Sequence, residues 1–264
     1  MNQSAIQFSE LADTATHVIA EAEARSVPVR VLGSAAVAIL CQRAAISPSV
    51  VRTLWKDLDL VCTEDGYATA RDIVMRLGFT PDAGVELATD GRRSLFRARE
   101  RQSFHIDLFI DPIELCHRIS LGKRLPGADT TLTSSDLLLT QIQRVHLQPT
   151  DRMDACLLML VADAKPGRHV LEPGYIARVL SDDWGFWKTA RDNLSPIMDA
   201  PSDIRGALVE DQWLGVNFKE TVSATARRLI QAIDSTRKTL RWHLRSMIGS
   251  SIQWYRTVES PDVF

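Results

Sequence analysis

Two short stretches of this chain alternate polar and apolar residues without a break: Asp57-Leu58-Asp59-Leu60 and His105-Ile106-Asp107-Leu108. A period of two belongs to a strand with one buried face, because successive side chains point to opposite sides of a sheet. Leu58 and Leu60 then face a core, as do Ile106, Leu108 and Ile110. A slip of one residue in register would drive the acids inward instead. The chain must therefore build a sheet, and something apolar must cover one side of it.

The covering layer is legible in the neighbouring segments. Residues 5–25 read as an amphipathic helix, with Ile6, Leu11, His17, Val18, Ile19 and Ala22 at helical spacing. Residues 27–33 (VPVRVLG) read as a strand, and 34–43 as a small-residue helix with Ser34 as its N-cap. Residues 45–56 carry a proline and two serines and read as a loop. The strand at 57–63 is followed by a helix at 66–78 closed by Gly78. SLFRARE and SFHIDLFID then make two strands around a turn at Arg99–Gln102. The order β-α-β-α-β-β predicts an α/β (α+β) domain, a mixed sheet with flanking helices, over residues 1–125.

Beyond the boundary near Lys123–Asp129 the strand pattern stops. Residues 132–147, 153–164, 174–183 and a long run at 217–248 all read as helices, which predicts a helical C-terminal domain over 126–264. In the last of these, Val222, Leu229, Ile233, Leu240, Leu244 and Ile248 share the helical spacing. DDWGFWKTARDNL (182–194) reads first as a helix-packing element and second as a stacking surface.

Composition removes several function classes. The 264 residues carry 45% hydrophobic and 24% charged residues, ordinary globular values that exclude disorder and fibrous repeats. A net charge of -2 excludes a globally basic nucleic-acid binder. Residues 218–257 nevertheless hold eight Lys/Arg against two Asp/Glu, a local basic patch suited to RNA. No run approaches the ~20 apolar residues of a membrane span. The first residues show neither the cationic nor the apolar region of a signal peptide. Cys41, Cys62, Cys116 and Cys156 form no CxxC pair and read as reduced thiols of a cytoplasmic protein. Zinc spacing among the six histidines, GxxxxGK[ST], GxGxxG and G-x-S-x-G are all absent.

What remains is the acidic face. Asp57 and Asp59 project together from one strand, and two neighbouring carboxylates repel unless a cation neutralises them. Mg²⁺ takes one or two carboxylates together with substrate phosphates. If the two alternating strands are neighbours, Asp107 converges on the same place, with His105 beside it as a polar contact rather than a ligand. Upstream, Gly33-Ser34 joins a strand to a helix, where backbone N–H groups favour negative charge and glycine permits close approach. The plainer alternatives are a solvated strand face and an ordinary tight turn.

In this order, Gly33-Ser34, Asp57-x-Asp59 and the later Asp107 resemble the nucleotidyltransferase superfamily that includes DNA polymerase β, and most nearly the bacterial AbiEii-type and related stand-alone proteins. The resemblance spans residues 27–160, where Asp151 and Asp154 match a further D-x-x-D stretch. It implies transfer of a nucleoside monophosphate from an NTP to a small molecule, a protein or an RNA end. Asp57, Asp59 and Asp107 would then hold Mg²⁺, Asp107 would help deprotonate the acceptor, and Gly33, Ser34 and Lys56 would hold the nucleotide. The chain departs from the pattern in having 22 residues between Ser34 and Asp57, and in Gln141 where relatives carry lysine. Lys56, Arg52 and Lys123 are the candidate replacements. The alternatives are a degraded nucleotide- or partner-binding module of the same fold and an RNA-contacting, toxin-like protein.

Overall fold

The computed structural model describes residues 3–46, 54–98, 104–127, 129–164, 170–199, 201 and 217–257. The protein is mixed α/β. Five strands form one sheet: β1 (Val29–Leu32), β2 (Asp57–Cys62), β3 (Phe79–Pro81), β4 (Arg93–Ala98) and β5 (His105–Ile110), in the order β1-β2-β5-β4-β3. Only the β2–β5 pairing is parallel; the other three are antiparallel. Leu58, Leu60, Ile106 and Leu108 are wholly buried, as their alternation requires. The outer edge of β1 is closed by a passing segment. Val31 donates its N–H to the Thr130 carbonyl and accepts from Leu132 N–H. The opposite edge, β3, is three residues long and ends in Pro81, which has no N–H to offer.

Helix α1 (Gln3–Glu23) buries Leu11, Ala15, Val18 and Ala22 on one face. His17, expected on that face, instead lies outward with Nε2 3.4 Å from Glu21. Helix α2 (Gly33–Arg43) buries seven consecutive residues, Ala35–Cys41; its small side chains let it pack on both α5 (Ser134–Ile142) and α6 (Pro149–Ala164). One apolar cluster consequently runs from Phe8 to Ile233, across the sheet and the later helices.

Several boundaries differ from expectation. Strand β3, the short helix α4 (Ala83–Ala88) after α3 (Tyr67–Arg76), and the two-residue pair β6 (Ile113–Glu114) and β7 (Arg118–Ile119) were all unforeseen. Helix α5 stops at Ile142 because Asn193 Nδ2 donates to the Ile142 and Arg144 carbonyls, while Pro149 opens α6. The expected helix at 217–248 is two helices, α9 (Phe218–Ser235) and α10 (Leu240–Ile248). Thr236 turns extended, Lys238 Nζ donates to the Ile233 and Thr236 carbonyls, and the Thr239 side chain caps α10. Between α6 and α9 lie α7 (Pro173–Leu180) and α8 (Trp184–Asp199). The turn at Arg99–Gln102 and residues 47–53, Arg52 among them, fall outside the described residues. None of the four cysteines is in a disulfide; Cys41, Cys62 and Cys156 are buried, and burial pushes the Cys41 and Cys62 thiols up to about 12. Among the described residues, no helix is long and apolar enough to cross a membrane.

Candidate functional site

The parallel pairing of β2 with β5 sets Asp57 opposite His105 and Asp59 opposite Asp107. Directly opposed residues share a sheet face, so Asp57, Asp59, His105 and Asp107 all lie on one side. That is the arrangement expected from the alternation. Asp57 is exposed, Asp59 half-buried, and Asp107 only 3% exposed. His105 Nε2 sits 3.0 Å from Asp57 Oδ1 and 3.9 Å from Asp107 Oδ2.

Asp107 is not simply a third member of a carboxylate cluster. Arg93, at the start of β4, donates from Nε to Oδ1 at 2.8 Å and from Nη2 to Oδ2 at 2.9 Å. Its guanidinium also lies 5.3 Å from the Phe109 ring centre. This two-point pairing turns the Asp107 carboxylate toward β4 and offsets the charge of a buried acid. Among the described residues no group of three His, Cys, Asp or Glu side chains is arranged to hold a metal ion. As a donor set, Asp57 and Asp59 still suit Mg²⁺, which needs no more than two carboxylates when phosphates complete its shell.

Asp59 carries the strain of the site. Withdrawal from water, and then the charges of Asp107 and Asp57, push its carboxyl up to about 8; Arg93 and Arg144 act in the opposite sense. Position 33, against Asp59, is glycine for a geometric reason. Gly33 has φ +67°, and a Cβ built there would sit 2.0 Å from Asp59 Oδ2. Gly33→Ala should cost about 2 kcal/mol from the left-handed backbone alone, with the clash added, and lower Tm by roughly 5 °C. A melting curve superimposable on wild type would show that neither the positive φ nor the contact with Asp59 resists a methyl group.

Ser34 is placed differently from expectation. The N-cap position of α2 is Leu32, with no side-chain cap, and the Ser34 hydroxyl donates to Asp154 Oδ2 at 2.7 Å. The D-x-x-D stretch thus has two local duties. Asp154 ties α6 to the start of α2, and Asp151 accepts from Gln148 N–H and lies 3.5 Å from Arg144. Lys56 is exposed at the entry to β2, where its carbonyl accepts from His105 N–H. Lys123 lies on the exposed turn Gly122–Arg124. Gln141 is buried on α5.

The cations whose charge favours ionised Asp59 are Arg93 and Arg144, neither of which the sequence singles out. Arg144 lies two residues beyond the end of α5 and pairs with Asp151. Arg93 is one of several arginines in a row of polar residues, and only the β4–β5 register brings it to Asp107. Comparison of the chain with protein-family models, with curated proteins and with solved structures returns no match.

Proposed function

We propose that the protein is a Mg²⁺-dependent nucleotidyltransferase with a nucleotidyltransferase-like sheet, moving a nucleoside monophosphate from an NTP to a hydroxyl or phosphate acceptor. The observation that carries this reading is the in-register facing of Asp59 and Asp107 on adjacent parallel strands, with the bare Gly33 backbone against Asp59. Asp57 and Asp59 would hold the ion, which supplies charge neutralisation to a triphosphate. The start of α2 at Gly33-Ser34 would face the phosphates, and Arg144 would add the positive charge that Gln141 does not. Arg93 has two roles in this scheme. While paired it keeps Asp107 neutralised; drawn onto a phosphate it frees both Asp107 oxygens to accept the acceptor's proton.

With Mg²⁺ present, radiolabel in the α-phosphate of an NTP should appear on an acceptor, and label in the γ-phosphate should not. The asymmetry follows from attack at the α-phosphorus with pyrophosphate leaving. Transfer of the γ label would make the protein a kinase and end this reading. A second reading keeps the fold and drops the chemistry. It is favoured by the occupation of both Asp107 oxygens by Arg93 and by the commitment of Ser34 to Asp154. In that case NTP binds and neither label moves.

A further inference from the structure

Helix α10 presents its apolar stripe to solvent. Leu240, Leu244, Met247 and Ile248 recur at helical spacing, so they lie on one face, and they are 74%, 53%, 76% and 46% exposed. No residue of the helix is buried. Three of these side chains also line a cavity of about 940 Å³ between α10, the start of α8 and the segment around Trp254. An apolar stripe of this kind beside a concavity marks a binding surface.

The charge around it is positive on balance. The cavity is lined by four arginines, Arg118, Arg241, Arg245 and Arg256, against Asp182 and Asp183; Arg118 and Arg256 pair with Glu114, and the exposed Arg241 lies 3.6 Å from Asp182. Asp183 is already used, accepting from Phe186 N–H at the start of α8. Helix α10 contains no acidic residue, and Arg237 and Lys238 precede it. Two copies of the helix face to face would therefore bring like charges together.

RNA fits less well than the basic composition of 218–257 suggests. The two tryptophans that could stack bases already have partners: Arg245 lies 4.9 Å from the Trp184 ring centre, Lys188 5.8 Å from that of Trp254, and Trp184 meets Trp254 edge-on at 6.3 Å. Arg245 itself donates to the Gly249 and Ile252 carbonyls rather than outward. A bilayer surface is flat, whereas this site is concave.

We propose that the α10 groove docks an acidic amphipathic segment of a partner protein, whose apolar side chains enter the cavity while its carboxylates meet the exposed Arg237 and Arg241 at the rim. The probe is a synthetic helical peptide with leucines on one face and glutamates on the other, titrated into the full chain by fluorescence anisotropy. A lysine version, an RNA oligonucleotide and phosphatidylserine vesicles serve as comparisons. The glutamate peptide should bind at least tenfold more tightly than the lysine peptide, and should weaken as salt rises. Leu244→Ser with Met247→Ser should weaken it at least tenfold without changing the melting curve, because both side chains are exposed. Arg237→Glu with Arg241→Glu should reverse the preference between the two peptides. Equal binding of both peptides, no saturable binding at millimolar peptide, or preference for RNA or vesicles would overturn the proposal. So would a dimer in sedimentation that the Leu244→Ser, Met247→Ser protein no longer forms.

Discussion

Asp59→Asn should abolish transfer of the α label, by about 10³-fold or more, because it removes one of the two carboxylates proposed to hold the ion. The same variant should be more stable than wild type without Mg²⁺ at alkaline pH. The Asp59 carboxyl is held up at about 8, above the ~3.9 of an unfolded aspartate, so the folded state binds this proton more tightly. Its stabilising contribution is complete below pH ~4 and is lost as pH rises through 8, at up to about 1.4 kcal/mol per pH unit. Asparagine keeps the shape and carries no titration. Urea unfolding of both proteins between about pH 4 and 9 should give curves that meet at the acid end and diverge toward the alkaline end. Parallel curves would remove Asp59 as the source of the pH dependence. Retained transfer by Asp59→Asn would remove it from the site.

Arg93→Gln should lower stability by about 3–5 kcal/mol, the usual effect of stripping one partner from a buried ion pair. The Arg93 side chain is 16% exposed and that of Asp107 4%, so water can do little to replace the lost contact. Adding Asp107→Asn to Arg93→Gln should recover a substantial part of the loss, since the stranded charge is then gone. Chemical denaturation of the two single variants and the double measures this directly. A loss below about 1 kcal/mol for Arg93→Gln would place the pair among solvent-screened surface contacts.

The period-two runs at Asp57–Leu60 and His105–Leu108 were enough to predict which residues enter the core and which acids share a face. That part was legible because a pleated strand leaves each side chain only two directions. What came from other elements was not legible. Arg93 reaches Asp107 through the pairing of two strands, and Arg144, whose charge acts on Asp59, lies just past a helix whose end Asn193 holds from far along the chain. Ser34 has the right chemistry for a helix cap or a phosphate contact, yet Asp154, 120 residues away, accepts its proton. Local spacing likewise ran α9 and α10 together, because the apolar repeat continues across residues 236–239 while the backbone does not. The exposed stripe on α10 follows from that break. Val222, Leu229 and Ile233 face the core, and the reorientation after Thr236 turns Leu240, Leu244 and Ile248 outward.

The strap of residues 130–132 along β1 has a consequence for how the molecule fails when heated. Val29–Leu32 is a short, buried strand, apolar except for Arg30, and without the strap its outer N–H and C=O groups would form a ready template for a stranger's backbone. The strap belongs to the stretch that leads directly into α5, so loosening that helix uncovers the strand while the rest of the sheet still holds it straight. Loss of the native state should then run through intermolecular strand addition, and turbidity should depend on protein concentration before the sheet itself melts. Val31→Pro would delete the N–H that binds Thr130, and Thr130→Val would keep the carbonyl Val31 uses; the first should hasten clouding and the second should do so less.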